Sequence, residues 1–150
     1  MNGIEELKAK LAGSDVVNGS YEMIEMDPYR DLRGYLKKVL KKSNLETNEA
    51  IEEIYVLYTE KGFIRGNHYH KKTLEYFTII SGTATIAMKS IEDPDAVILR
   101  VNSSDNLVIK VPPLVAHGFR NDGEEELVIL AISSKEYNAA DTDTFPMIVL

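Results

Sequence analysis

The chain has 150 residues, a formal net charge of -7 and no cysteine. This length predicts one domain, residues 1–150, that can bury a core of ordinary size. The lack of cysteine excludes disulfides and thiolate metal sites, and the acidic surface repels phosphate backbones, so no nucleic-acid partner is expected. The N-terminus is acidic and no apolar run approaches the about 18 residues of a membrane span, which predicts a cytoplasmic protein without membrane association.

The first third of the chain carries weak signals of regular structure. Residues 4–11 place apolar side chains at helical spacing among charges, which predicts a short N-terminal helix. Residues 21–26 alternate in part, and the proline at position 28 ends that pattern. Residues 36–40 again have helical spacing, although a strand is the alternative there.

The following part of the chain consists of short β-branched and aromatic runs separated by turn residues. This pattern is typical of a sandwich or barrel and predicts an all-β core over residues 51–133. Six strands are predicted, at residues 54–59, 75–80, 83–88, 97–101, 107–111 and 127–132. The tail, residues 138–150, is predicted to pack Phe145, Ile148 and Leu150 against the barrel or a partner subunit.

All three histidines lie where their side chains can converge. His68 and His70 are two positions apart, so they project from the same face of an extended segment. Glu75 follows at the start of the next apolar run, and His117 lies in a later one. Imidazole nitrogens and a carboxylate oxygen suit zinc, iron, nickel or manganese. The pattern therefore favours a divalent metal site formed by these four residues, with a scattered or purely structural arrangement as the alternative.

The spacing of these residues resembles the two cupin motifs. The first motif is matched at every fixed position, by Gly62, His68, His70, Glu75 and Gly82. The second is matched in part, by Pro112, His117 and Asn121, while Asn106 and Leu114 replace two of its usual glycines. Asparagine tolerates a left-handed backbone but leucine does not do so easily, so the loop before His117 is expected to take a different course.

The cupin resemblance implies a double-stranded β-helix, the jelly-roll barrel, with the ligands pointing inward near one open end. Such a barrel can enclose one small ligand.

Two further segments resemble the nucleotide-sugar branch of cupins. They are the Asp-Leu-Arg-Gly of residues 31–34 and the Arg-Gly-Asn-His-Tyr-His of residues 65–70. That branch includes dTDP-sugar 3,4-ketoisomerases, 3,5-epimerases and the cupin domain of capsular polysaccharide enzymes. The first segment leads into a strand in this family, so residues 36–40 are predicted to be β. The ketoisomerases commonly have glutamine where Glu75 stands, and Glu75 with His117 makes the chain closer to the zinc-associated capsular domain.

The resemblance implies an epimerase or isomerase that acts on a 4-keto-6-deoxy nucleotide sugar in polysaccharide biosynthesis, and a homodimer. With a metal bound, His68 and His70 are ligands and the base is another residue, for which Tyr76, Tyr69 and Tyr58 are candidates. Without a metal, His68 or His70 is the base. A metal-dependent small-molecule oxygenase and a non-catalytic sugar- or metal-binding cupin are the alternatives.

The phosphates of such a substrate require cationic side chains. Arg65 is the main candidate because its planar fork binds phosphate bidentately, with Lys72 or Arg120 as auxiliaries. A salt bridge at the rim of the barrel is the alternative role for each.

Overall fold

The computed structural model describes residues 21–46 and 48–150, and these form an all-β fold with two antiparallel sheets. The strands are β1 (Glu22–Glu25), β2 (Tyr29–Asp31), β3 (Gly34–Leu36), β4 (Glu53–Thr59), β5 (Ile64–Tyr69), β6 (Glu75–Ser81), β7 (Thr83–Ser90), β8 (Val97–Asn102), β9 (Leu107–Val111), β10 (Val115–Asn121), β11 (Leu127–Ser133) and β12 (Phe145–Pro146). The described part of the chain has no α-helix, only 3-10 turns at Lys42–Asn44 and Ser103–Asp105. The helix predicted over residues 4–11 lies outside the described residues.

The two large sheets have five strands each, and their strand orders cross the chain order repeatedly. The first sheet has the order β1-β9-β6-β11-β4 and the second β12-β5-β10-β7-β8, while β2 and β3 form a separate hairpin. Neighbouring strands are therefore supplied by distant parts of the sequence. In the ranges that the structure describes, no helix is long and apolar enough to span a membrane.

The hydrophobic core lies between the two sheets. Its buried side chains include Phe77 and Ile79 from the first sheet and Ile86, Met88 and Phe119 from the second. On β4 the burial alternates residue by residue, as expected for an edge strand with one face against the core. The apolar runs of the sequence predicted strands because the inward faces of the two sheets pack against each other and require apolar side chains.

The six predicted strands are all confirmed, with ends that shift by at most two residues. Three strands of the second sheet, β5, β10 and β12, were not among them. The β prediction for residues 36–40 is correct only at Leu36, where β3 ends. Val39 and Leu40 pack instead against a small cluster around Tyr76, so their apolar spacing serves packing of an irregular segment.

The loop before His117 does contain the leucine conformation that the sequence analysis disfavoured. Leu114 has φ 66°, in the left-handed region, and its N–H donates to the His70 carbonyl oxygen at 2.7 Å. Asn106, at φ 55°, is left-handed as well, as its residue type allows.

The tail runs along the edge of the second sheet. β12 pairs with β5, and the Phe145 ring stacks on Tyr69 with 5.4 Å between ring centroids. Ile148 does not pack against the barrel, because this side chain is 83% exposed. Its packing against a partner subunit stays a prediction.

Candidate metal centre

Three structural elements bring the four candidate ligands together. His68 lies on β5 directly opposite His117 on β10, and His70 follows the end of β5. Glu75 is the first residue of β6 in the other sheet. One ligand atom from each of the four residues lies within 4.8 Å of the others. The cluster therefore joins both sheets at one end of the barrel.

A bulge in β5 sets the direction in which His68 points. His117 pairs with His68 but Gly118 pairs with Gly66, which leaves Asn67 outside the ladder. Gly66 has φ 93° and Asn67 has φ 57°. A Cβ on Gly66 would lie 2.7 Å from the carbonyl oxygen of His117, so only glycine allows this close approach.

Glu75 is the polar centre of the cluster. Its Oε2 lies 3.1 Å from His70 Nε2 and 3.3 Å from His117 Nε2, and its Oε1 accepts a hydrogen bond from the Tyr55 hydroxyl at 2.8 Å. Burial by itself raises the pKa of Glu75, but the hydrogen bonds from His117 and His70 outweigh it and hold the pKa below its usual value. The carboxylate is thus ionised at neutral pH.

The histidine pKa values respond to this carboxylate and to one another. Burial lowers the pKa of His70, but Glu75 and the Asp143 carbonyl oxygen outweigh it and the net shift is upward. Burial, with the neighbouring His117 and His70, lowers the pKa of His68 to about 4. His68 is therefore neutral at neutral pH, in the form that binds metals.

Backbone oxygens orient two of the rings. His70 Nδ1 donates to the Asp143 carbonyl oxygen at 2.6 Å, and His117 Nδ1 lies 3.3 Å from the Val115 carbonyl oxygen. Both contacts turn Nε2 toward the cluster, the arrangement that protein metal sites use to fix a histidine ligand. Three imidazoles and one carboxylate around one point fit zinc, iron, nickel or manganese.

The cluster lies in a cavity of about 960 Å³. Its apolar wall includes Leu57, Phe77 and Phe119. Cationic side chains also line it, at Arg65, Lys71, Lys72 and Lys135. This combination of an apolar interior and a few polar groups is typical of a small-molecule site.

The structure brings two of the three predicted phosphate-binding residues to the cavity. Arg65 and Lys72 line it, and the Arg65 guanidinium donates to the Tyr58 carbonyl oxygen at 3.1 Å. Arg120 does not line it, and its Nε donates to Asp122 at 2.7 Å. Because side chains alternate along β10, His117 and Phe119 face the cavity and Arg120 faces away.

The three tyrosines predicted as bases lie outside the cavity lining. Tyr76 follows Glu75 on β6 and so faces the other side, where its hydroxyl donates to Glu49. The tyrosine that reaches the cluster is Tyr55 on β4, which the sequence analysis missed. Burial, followed by the charge of Glu75, raises the pKa of the Tyr55 hydroxyl, which keeps it protonated. Side chains alternate between the two faces along the predicted strand over residues 54–59, and this alternation was the signal in the sequence that could have identified Tyr55.

The fold and this cluster define a cupin-like barrel with a candidate metal centre. A family model described as the polysaccharide biosynthesis C-terminal domain matches residues 29–145. The chain belongs to this family. No curated protein sequence matches it.

Solved structures similar to this chain agree with the cupin-like fold. The dTDP-6-deoxy-D-glucose-3,5-epimerase RmlC of Legionella pneumophila, in complex with dTDP-4-keto-L-rhamnose, has a TM-score of 0.75 at 18% identity, over 87% of this chain and 73% of that chain. The sugar 3,4-ketoisomerase QdtA of Thermoanaerobacterium thermosaccharolyticum, in complex with TDP, has a TM-score of 0.70 at 22% identity, over 84% and 87%. The capsular polysaccharide assembling protein CapF of Staphylococcus aureus has a TM-score of 0.64 at 21% identity, and this chain covers 34% of it and is itself covered over 83%. Identities this low establish the fold alone.

Proposed function

We propose that the chain is a metal-binding epimerase or isomerase that acts on a 4-keto-6-deoxy nucleotide sugar in polysaccharide biosynthesis. The observation that carries the proposal is the convergence of His68, His70, Glu75 and His117 in a cavity with cationic side chains. Two similar structures are complexes with dTDP-4-keto-L-rhamnose and with TDP, which supports a nucleotide-sugar ligand here. Membership of a polysaccharide biosynthesis family supports the same class of substrate.

The chemistry of such a substrate fits the site. Hydrogens on the carbons beside a sugar ketone are acidic because the carbanion delocalises onto the ketone oxygen. A divalent ion held by the four residues would supply a Lewis acid for that developing charge. The protein itself must then bind the nucleotide, hold the sugar against the cluster and move a proton to or from the carbon beside the ketone.

Cationic residues of the cavity are suited to the diphosphate. Arg65 offers a planar guanidinium, and Lys71, Lys72 and Lys135 add charge around it. The backbone N–H groups of Lys71 and Lys72 are already bonded to Asp143, which holds this part of the rim in place. A cavity of about 960 Å³ is large enough for a nucleotide sugar to enter in part.

Tyr55 is our candidate for proton transfer. Its hydroxyl is protonated and lies at the cluster, so it can give a proton to a carbanion and regain one from solvent in the cavity. His68 is the second candidate, for a form of the protein without a metal. Among the described residues neither of its ring nitrogens has a hydrogen-bond partner, and the ring is neutral at neutral pH.

The test is hydrogen exchange at the carbon beside the ketone. A dTDP- or UDP-4-keto-6-deoxyhexose incubated with the protein in deuterium oxide should gain deuterium at C3 or C5, which NMR or mass spectrometry detects. Exchange is observable even when the equilibrium lies toward substrate. His70→Ala should abolish it, and Tyr55→Phe should slow it if the hydroxyl transfers the proton. A chelator that removes the ion distinguishes the two roles of His68. Loss of exchange would support its role as a ligand, and exchange that persists would support its role as a base.

Substrate recognition is tested separately. Arg65→Ala should weaken nucleotide-sugar binding and leave metal content unchanged, whereas Arg120→Ala, whose side chain points away from the cavity, should change neither.

If neither dTDP- nor UDP-4-keto-6-deoxyhexoses exchange hydrogen, in protein shown to contain its metal, the epimerase proposal is refuted. The same four donors also suit iron, so oxygen consumption with small organic acids would then test the oxygenase. If neither exchange nor oxygen consumption is detected, the remaining alternative is a non-catalytic cupin that binds a sugar or a metal.

A further inference from the structure

The last ten residues of the chain form a segment that pairs with β5, the strand that carries His68 and ends just before His70. We call residues 141–150 the C-terminal strap. β12, within the strap, pairs with β5 so that Phe145 faces Tyr69 and Pro146 faces His68. The strap also lines the cavity, so it forms part of the wall beside the candidate ligands.

Asn67, the bulged residue of β5, holds the end of the strap. Its side-chain oxygen accepts hydrogen bonds from the N–H groups of Val149 and Leu150, at 3.0 and 3.1 Å. Its carbonyl oxygen accepts one from Met147 N–H at 2.8 Å. The same bulge that aims His68 therefore fixes the strap against the sheet.

Asp143 makes the densest set of contacts in the strap. Its carboxylate accepts hydrogen bonds from the N–H groups of Lys71, Lys72 and Thr73, at 2.9, 2.8 and 2.9 Å, and from the Thr73 hydroxyl at 2.8 Å. Three successive N–H groups around one anion form a nest, and such charge-assisted bonds are stronger than neutral ones. The turn immediately after His70 is thus wrapped around a single carboxylate.

The carbonyl oxygen of the same residue accepts the hydrogen bond from His70 Nδ1 at 2.6 Å. The carboxylate and the carbonyl oxygen belong to one residue, so fixing the first fixes the position of the second. Among the described residues, Asp143 makes no other hydrogen bond that would hold this carbonyl oxygen opposite the ring.

We propose that Asp143 is a positioning residue for His70: its carboxylate grips residues 71–73 and thereby places its carbonyl oxygen where it directs His70 Nε2 to the metal. The inference rests on the proposed metal site. It makes the strap, 73 residues away from His70 in sequence, an integral part of that site.

The experiment measures Co²⁺ affinity and the His70 ring proton in the full-length protein. Asp143→Ala should weaken Co²⁺ binding by roughly 10- to 100-fold, the usual cost of losing an outer-sphere partner of a metal ligand. In the metal-free protein, NMR with ¹⁵N-labelled histidine should show the His70 Nδ1 proton in slow exchange with water. Asp143→Ala should lose this signal, which a purely structural role would not affect.

Two variants serve as matched comparisons. Asp143→Asn keeps the size of the side chain and one acceptor oxygen, so both readouts should fall between wild type and Asp143→Ala; it also replaces that variant if the alanine protein does not fold. Asp105→Ala removes a carboxylate that caps another backbone turn, at 2.8 Å from Asn102 N–H, outside the cavity lining. It should retain wild-type Co²⁺ affinity and the His70 signal.

Wild-type affinity and an unchanged His70 signal in the folded Asp143 variants would overturn the inference. Failure of the wild-type protein to bind Co²⁺ would instead remove the proposed metal site. The NMR signal alone would then decide, because its loss in the Asp143 variants supports the positioning contact and its retention refutes it.

Discussion

The two motif regions of the barrel both contain residues with positive φ, but the residue types differ. In the first, Gly62, Gly66 and Gly82 all have positive φ, which glycine adopts without steric cost. In the second, Asn106 and Leu114 take the left-handed conformation. The comparison shows that both regions adopt these conformations, and that Leu114 does so at an energetic cost.

His117 nevertheless reaches the cluster, because the sheet holds it more firmly than the turn before it. β10 lies between β5 and β7 and pairs with both, and His117 itself is opposite His68 on one side and Met88 on the other. A ligand on a central strand is therefore insensitive to the residue type in the preceding loop. The first region depends on its glycines more directly, since Gly66 touches the backbone of His117.

The largest effect is expected from a substitution at that contact. Gly66→Ala should destabilise the protein by about 3 kcal/mol, from the left-handed backbone and from the clash with the His117 carbonyl oxygen. Urea unfolding measures it. Gly62→Ala is the matched control, since Gly62 has φ 81° but no atom within 4 Å of an added Cβ. Equal losses in both variants would show that the close approach is unimportant.

The metal affinity of histidine variants tests whether both motif regions supply ligands. His70→Ala and His117→Ala should each lower the affinity for Zn²⁺ or Co²⁺ by at least about 100-fold, or about 2.7 kcal/mol, if both regions contribute. Elemental analysis and metal titration measure this, with thermal melting to confirm folding. Wild-type affinity in His117→Ala would mean that the second region supplies no ligand.

The pH dependence of metal binding reports on the histidines of the first region. Protons compete with the ion for His70, whose pKa is raised, so affinity should fall as pH decreases through that pKa, beginning above the ordinary value of about 6.5. His68, with a pKa of about 4, and Glu75, with a lowered pKa, do not bind protons in that range. Each competing proton lowers the metal affinity by up to about tenfold per pH unit. An affinity that is flat between about pH 7 and 5 would contradict histidine coordination.

The smallest effect concerns the left-handed leucine. Leu114→Gly should stabilise the protein by about 1 kcal/mol, because it removes the steric cost of φ 66° from a side chain that is 44% exposed. Leu114→Ala retains a Cβ and should not stabilise it. Unfolding midpoints of both variants, with metal affinity unchanged in each, would sharpen the contrast between the regions. A destabilised glycine variant would show that the leucine side chain contributes packing that outweighs its strain.

The features that the sequence predicted well are those that depend on residue type and on fixed spacing. The four candidate ligands followed from their chemistry and motif spacing, and six strands followed from apolar runs. β5 and β10 escaped because glycine, asparagine, histidine and arginine interrupt their apolar pattern. Tyr76 and Arg120 were chosen for their chemistry alone, although their neighbours Glu75 and Phe119 already assigned them to the opposite face.

The sequence by itself determined the class of fold, since strand periodicity is a local property, and it singled out the four candidate ligands by residue type and motif spacing. Only the tertiary structure revealed that Tyr55 donates to Glu75 and that Asp143 holds His70. Both contacts join residues that are distant in the sequence, by 20 positions in the first and 73 in the second. They depend on which strands become neighbours, and the two-residue strand β12, which carries the strap to β5, is too short to leave a periodic signal.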